Sequence, residues 1–176
     1  MNGLHSADSI GSKGQVILEK ILGSKYEKCN QKDGDGYFIG KSGKFTYEIK
    51  TTGFALDSTQ GINQVRPIKC IAVLVYFKSI GIWAFLSPKD VFKLSLLKNR
   101  GQHNECVVEC TQISINSIPK SCICSSDNLI EKLENMCSYF NSQDYKDLKK
   151  ECDIILDQLK AMNQNTKKTI EAMVKS

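Results

Sequence analysis

Eight consecutive apolar residues, CIAVLVYF at positions 70–77, constrain the fold of this chain more than any other stretch. A strand with one wet face alternates apolar and polar residues, whereas an unbroken β-branched run requires cover on both faces. Eight residues are far too few to span a bilayer, and no other stretch approaches 18 uncharged apolar residues. The run is therefore expected to be a central strand of a layered α/β protein. A length of 176 residues with 41% apolar composition suits one domain with a real core and room for a small appendage.

Other elements are expected around that strand. SKGQVILEKILGS carries Val16, Ile17, Leu18, Ile21 and Leu22 at helical spacing, with Gly23 as its stop. YFIG and KFTYEIKTT, joined by KSGK, predict a β-hairpin. GIWAFLSP predicts a strand, and SPKDVFKLSLL a short helix with Ser87 as cap and Pro88 in its first turn. ECVVECTQISI alternates and predicts one more strand. From Asp127 onward there is no Gly or Pro, and the pattern turns helical. Leu129, Leu133, Met136 and Phe140 form one stripe. After NSQD, Tyr145, Leu148, Cys152, Ile155, Leu159, Met162, Thr166, Thr169 and Met173 form a seam at spacings of three and four. A helical hairpin over 126–176 follows, its seam expected against the sheet or the partner helix rather than another chain.

The eight cysteines form no C-x-x-C pair, and His5 and His103 are not at zinc-ligand spacing from a cysteine pair. Reduced thiols in a cytoplasmic protein are expected, and the first residues show no basic-then-apolar signal pattern. The net charge of +5 is uneven: residues 1–125 hold 16 Lys/Arg against 10 Asp/Glu, and 126–176 hold 8 against 9. A basic excess confined to the first part favours a polyanionic partner.

Period two places Glu48 and Lys50 on one face of their strand. Alone, such a pair is most often a solvated ion pair. Asp35 heads the preceding strand, and folding the hairpin brings its carboxylate toward Glu48. Two carboxylates with water and a phosphate make an all-oxygen shell suited to Mg²⁺, and an adjacent lysine can orient water or offset phosphate charge. Glu19, on the first helix, could add a third acid. Asp33 and Asp35 are equally ordinary turn residues, and Glu19 equally fits the solvent face of an amphipathic helix.

The order of helix acid, Asp, hairpin, E-x-K and buried strand resembles the PD-(D/E)XK nucleases of restriction-endonuclease-like fold. YEIKTT, INQVRPIKCIAVLVYF and IWAFLSPKDV extend the likeness over roughly residues 10 to 115. The resemblance implies a mixed central sheet flanked by helices, with a nuclease core over 1–125 and the C-terminal hairpin as an appendage for dimerisation, a partner subunit or DNA. It makes Asp35 and Glu48 the metal ligands, Lys50 the catalytic lysine, Glu19 the helix acid and Gln64 a polar residue on a helix or turn facing the site. Arg66, Lys69 and Lys44 become nucleic-acid contacts, and His103 a residue that could reach DNA. The implied activity is Mg²⁺-dependent hydrolysis of DNA, with Mn²⁺ able to substitute, in a restriction or mobile-element setting and without a membrane. The alternative is a weakly catalytic DNA-binding or assembly module that needs a partner protein. Gly34 stands where the family pattern has proline, and Asp33 competes with Asp35.

Overall fold

A computed structural model describes residues 7–30, 34–66, 70–98, 100–103 and 105–175. The elements run α1 (Ala7–Leu22), β1 (Tyr26–Glu27), β2 (Gly36–Gly40), β3 (Gly43–Thr52), β4 (Gly61–Val65), β5 (Val73–Phe77) and β6 (Ile82–Leu86). They continue with α2 (Pro88–Ser95), β7 (Thr111–Ser114), β8 (Ile123–Cys124), α3 (Leu129–Phe140) and α4 (Gln143–Lys175). Six strands form a mixed sheet in the order β1-β2-β3-β5-β6-β8, and β4 and β7 form a separate pair. β3 and β5 are parallel, and every other pairing is antiparallel.

The apolar run behaves as its composition requires. All five β5 residues are buried, and they alternate between two cores. Leu74 and Tyr76 join Tyr47, Ile49, Trp83 and Phe85 beneath Leu18 and Leu22 of α1 and Leu129, Leu133 and Cys137 of α3. Val73, Val75 and Phe77 face the opposite way, onto Ile62 and Val65 of β4, Ile113 of β7 and Val91 and Leu94 of α2. The molecule is thus three layers: α1 and α3, the large sheet, then α2 with the small sheet. Cys122 lies in the second core and Cys124 in the first, and no disulfide joins cysteines among the described residues.

Local signals hold at several ends. Ser87 and Asp90 form a reciprocal capping box on α2, with Pro88 in its first turn. Gly23, at φ 53°, ends α1. Other expectations change. Val16 is 47% exposed, because α1 turns Leu18 and Leu22 to the sheet and leaves Val16 outside that stripe. Of ECVVECTQISI only Thr111–Ser114 is strand. Val107 and Val108 are both buried, which adjacent residues of an alternating strand cannot be, and they sit in a turn.

That turn explains the C-terminal seam. Leu148 and Cys152 of α4 pack with Val107, Val108 and Phe92 of α2, with Ile155, Leu156 and Leu159 at the margin. At its start Tyr145 stacks on Phe140 of α3, ring centroids 4.1 Å apart, as expected of a seam against the partner helix; from Leu148 onward the cover is α2 and the 105–110 segment. Met162 of the seam is 64% exposed, and the side chains of Thr166, Thr169 and Met173 lie outside what the structure describes. No helix is long and apolar enough to cross a membrane among the described residues.

Two contacts give tests of this packing. At Gly14 a Cβ would stand 2.4 Å from Thr51 Oγ1 and 3.1 Å from Tyr76 Cβ, so α1 rests on β3 through a bare backbone. Gly14→Ala should therefore lower stability by about 1–3 kcal/mol in chemical denaturation, the crowding outweighing a helix-propensity gain of about 1 kcal/mol. Elsewhere, Glu134 of α3 accepts from Lys25 Nζ at 2.6 Å and from the Lys41 backbone at 3.0 Å, which clamps the hairpin tip. The Lys25 bond first, and the Lys41 bond second, lower its pKa from the ordinary 4.5. A carboxyl lowered by folding contributes stability that is full above its unfolded value and lost as pH falls through the folded one. Thermal melts of Glu134→Gln should fall below wild type at pH 7, and the gap should close in acid.

Candidate functional site

β2 is half as long as β3, and the site follows from that mismatch. Gly36–Gly40 pair with Gly43–Tyr47, whereas Glu48–Thr52 pair only with β5 on the other edge. The β2-side edge of β3 is therefore open from Glu48 onward. Asp35 fills the first gap: its backbone N–H donates to Tyr47 O at 3.0 Å, and its Oδ2 accepts from Ile49 N at 2.7 Å. A side chain thus replaces the missing strand partner. Asp35 comes one residue before the Gly36–Tyr47 pair, which sets it opposite Glu48.

Glu48 is buried, unusual for a carboxylate without a partner, and it has two. Its Oε1 lies 2.7 Å from Lys50 Nζ, and its Oε2 accepts from Arg66 N at 3.3 Å. The period-two expectation holds: both side chains leave the face away from α1, where β4 passes.

The notch opens into a cleft of about 1210 Å³. Its walls include Gln15 and Glu19 from α1, Asp35 and Lys50 beside β3, Phe54 after it, and Asn63 and Gln64 from β4. Glu19 stands on the α1 side, accepting from Gln15 Nε2 at 2.9 Å. Gln15 Nε2 is also 3.4 Å from both Asp35 O and Tyr47 Oη, so this one amide ties the helix to the Asp35 segment. Its Oε1 is buried without a hydrogen-bond partner. Burial above all raises the Tyr47 pKa, and burial followed by the Glu19 hydrogen bond raises that of Tyr26, so both phenols stay protonated donors. No group of three His, Cys, Asp or Glu side chains gathers as a metal site among the described residues. Glu19 lines the cleft from α1, whereas Glu48 is buried and does not line it.

Gln64 is neither on a helix nor in a turn. It lies in β4, at a bulge between Ile62 and Val65, with φ 56°. The bulge exposes Asn63 and Gln64 side by side, as bulges beside functional sites often do. An amide network holds this strained backbone. Gln64 N donates to Gln102 Oε1 at 2.5 Å, while Gln102 Nε2 and Gln112 Nε2 donate to Asn63 Oδ1 at 3.1 and 2.7 Å. The Gln64 side chain makes no hydrogen bond among the described residues.

The remaining predicted contacts are scattered. Arg66 brings its backbone to Glu48 but turns its guanidinium to Glu105, 3.6 Å away. Lys44 pairs with Ile39 near the hairpin tip, binds Glu27 and lies over the Tyr37 ring at 4.1 Å, away from the cleft. His103, at φ 54°, lines a separate depression of about 870 Å³ with Lys98 and Arg100. Lys69 and Asp33 lie outside the described residues. Sequence reasoning missed Gln15, Asn63 and Phe54. Only Gln15 carried a signal, one helical turn before Glu19. No family model, curated protein or solved structure matches this chain.

Glycine relieves a left-handed backbone that costs other residues about 1–2 kcal/mol, and loses part of that through its freer unfolded chain. Gln64→Gly should thus melt at or above the wild-type temperature, a gain of up to about 1 kcal/mol. A clear loss of stability would mean that the Gln64 side chain supports the fold.

Proposed function

We propose that this chain is a Mg²⁺-dependent endodeoxyribonuclease of the PD-(D/E)XK kind. One observation carries the reading: Asp35, one residue before β2, stands opposite Glu48 of β3, whose carboxylate pairs with Lys50, at the open edge of a mixed sheet. The resemblance of the ordered Glu19, Asp35, Glu48-x-Lys50 pattern supports it, as does the basic excess over 1–125.

The donor set fits the ion. Both groups are hard oxygen ligands, and Mg²⁺ is commonly held by one or two carboxylates plus substrate phosphate. Asp35 spends Oδ2 on Ile49 N, while Oδ1 has no hydrogen bond among the described residues. Glu48 Oε1 already holds a cation, the Lys50 ammonium. Asp35 and Glu48 would hold Mg²⁺, which supplies Lewis-acid stabilisation of charge developing on the phosphate.

The chain's own groups do the rest. The backbone N–H groups of Ile49 and Arg66 fix the two carboxylates without neutralising them. Lys50, held beside Glu48, would offer its ammonium to the phosphate and orient an attacking water in line with the scissile bond. Burial around Glu48 strengthens each of these interactions by keeping bulk water away.

Plasmid nicking in Mg²⁺ or Mn²⁺ tests the reading. The wild type should nick, and Lys50→Ala and Asp35→Ala should each be slower by roughly a hundredfold or more. Equal rates in all three proteins would sink it. DNA binding with no cleavage in either metal would replace it with a nuclease-fold binding module.

A further inference from the structure

The cleft holds two groups that phosphodiester hydrolysis does not require. Phe54 lies on the segment just after β3, a residue 49% exposed on the cleft wall. Its backbone is pinned, since Phe54 N donates to Thr52 Oγ1 at 3.1 Å, and the ring stacks on no other aromatic among the described residues. The same cleft is lined by Gln64, whose side-chain amide is unengaged at a bulge that the Gln102 network keeps strained. A network spent on the Gln64 backbone, with the amide itself left open, is an arrangement that serves a ligand rather than the fold.

An apolar ring and an amide with both donor and acceptor are the two complements of a nucleobase: a π-face to stack on and an edge to bond. In a duplex the π-faces are covered by neighbouring pairs, so only an unpaired base can use such a ring. Lys50 lines the cleft as well, placing a phosphate-binding cation beside the base-binding pair.

We infer that the cleft takes an unpaired nucleotide, single-stranded or extruded from a duplex, with its base stacked on Phe54 and its edge on the Gln64 amide. This rests on the nuclease reading for the class of polymer and deepens it to a substrate with unpaired bases. The ring lies two residues beyond the strand that carries Lys50, and both residues line the same cleft.

The test is binding in EDTA, where no cleavage occurs, of a single-stranded oligonucleotide carrying 2-aminopurine and of its matched duplex. Wild type should prefer the single strand and quench the 2-aminopurine. Phe54→Ala should weaken single-strand binding about tenfold and abolish the quench, leaving duplex binding unchanged. Phe54→Tyr should restore both, and Phe54→Leu should not, which separates stacking from plain burial. Gln64→Gly should keep the quench but even out affinity among oligonucleotides differing at the probe's neighbouring base. Equal binding of both oligonucleotides, or a Phe54→Ala protein indistinguishable from wild type, would overturn the inference. A protein that nicks no plasmid yet shows the Phe54-dependent preference keeps this inference and loses the catalytic reading. One that nicks but shows no such preference does the reverse.

Discussion

The hydrogen bond from Ile49 N to Asp35 Oδ2 is where the architecture and the candidate chemistry meet. β2 stops halfway along β3, and a sheet edge left open inside a protein must satisfy its backbone groups some other way. Asp35 does so with a carboxylate, and by doing so brings an exposed negative charge to the cleft-lining edge opposite Glu48. Without that carboxylate the edge would be an unpaired strand. With it, the edge becomes a floor lined with acids and a lysine, flanked by α1 on one side and β4 on the other.

The layers around this edge explain why it stays open. The α1 helix approaches β3 at Gly14 without a side chain between them, which keeps Gln15 and Glu19 at the rim rather than over the strand. On the other side, Ile62 and Val65 of β4 are committed to the second core, and the bulge between them turns Asn63 and Gln64 outward. α3 completes the first core rather than standing apart from it, through Leu129, Leu133 and Cys137. The α4 helix stacks Tyr145 on Phe140 of α3 and, from Leu148 onward, serves α2 and the 105–110 segment. That segment carries Gln102 close to the bulge through the bond from Gln102 N to Cys110 O at 2.9 Å. Packing far from the cleft thus bears on the position of its amides.

Much of this was legible in the chain. The apolar run at 70–77, the Ser87–Pro88 helix start, the Gly23 stop and the β-hairpin are local signals, and each marks the element that forms. So is the shared face of Glu48 and Lys50, because side-chain alternation is a property of the strand itself. Where reading failed, the missing information was non-local. Val107 and Val108 looked like strand because alternation was judged without knowing that α4 would cover both. Gln64 looked like a turn residue because a bulged two-strand ladder leaves only five ordinary residues in the sequence. Arg66 and Lys44 were candidates through the resemblance, and a motif position does not say where a long side chain finds its partner.

By itself, then, the sequence determined a layered α/β protein around one doubly covered strand, with an acid–lysine pair on a neighbouring strand. Only the tertiary structure decided that β2 ends at Gly36, that Asp35 takes the vacant place beside Ile49, and that Phe54 and Gln64 share a cleft with Lys50. The reason is physical. Periodicity records which face of an element is apolar, whereas register, strand ends and the side chains that meet across a gap depend on packing between residues far apart in the chain.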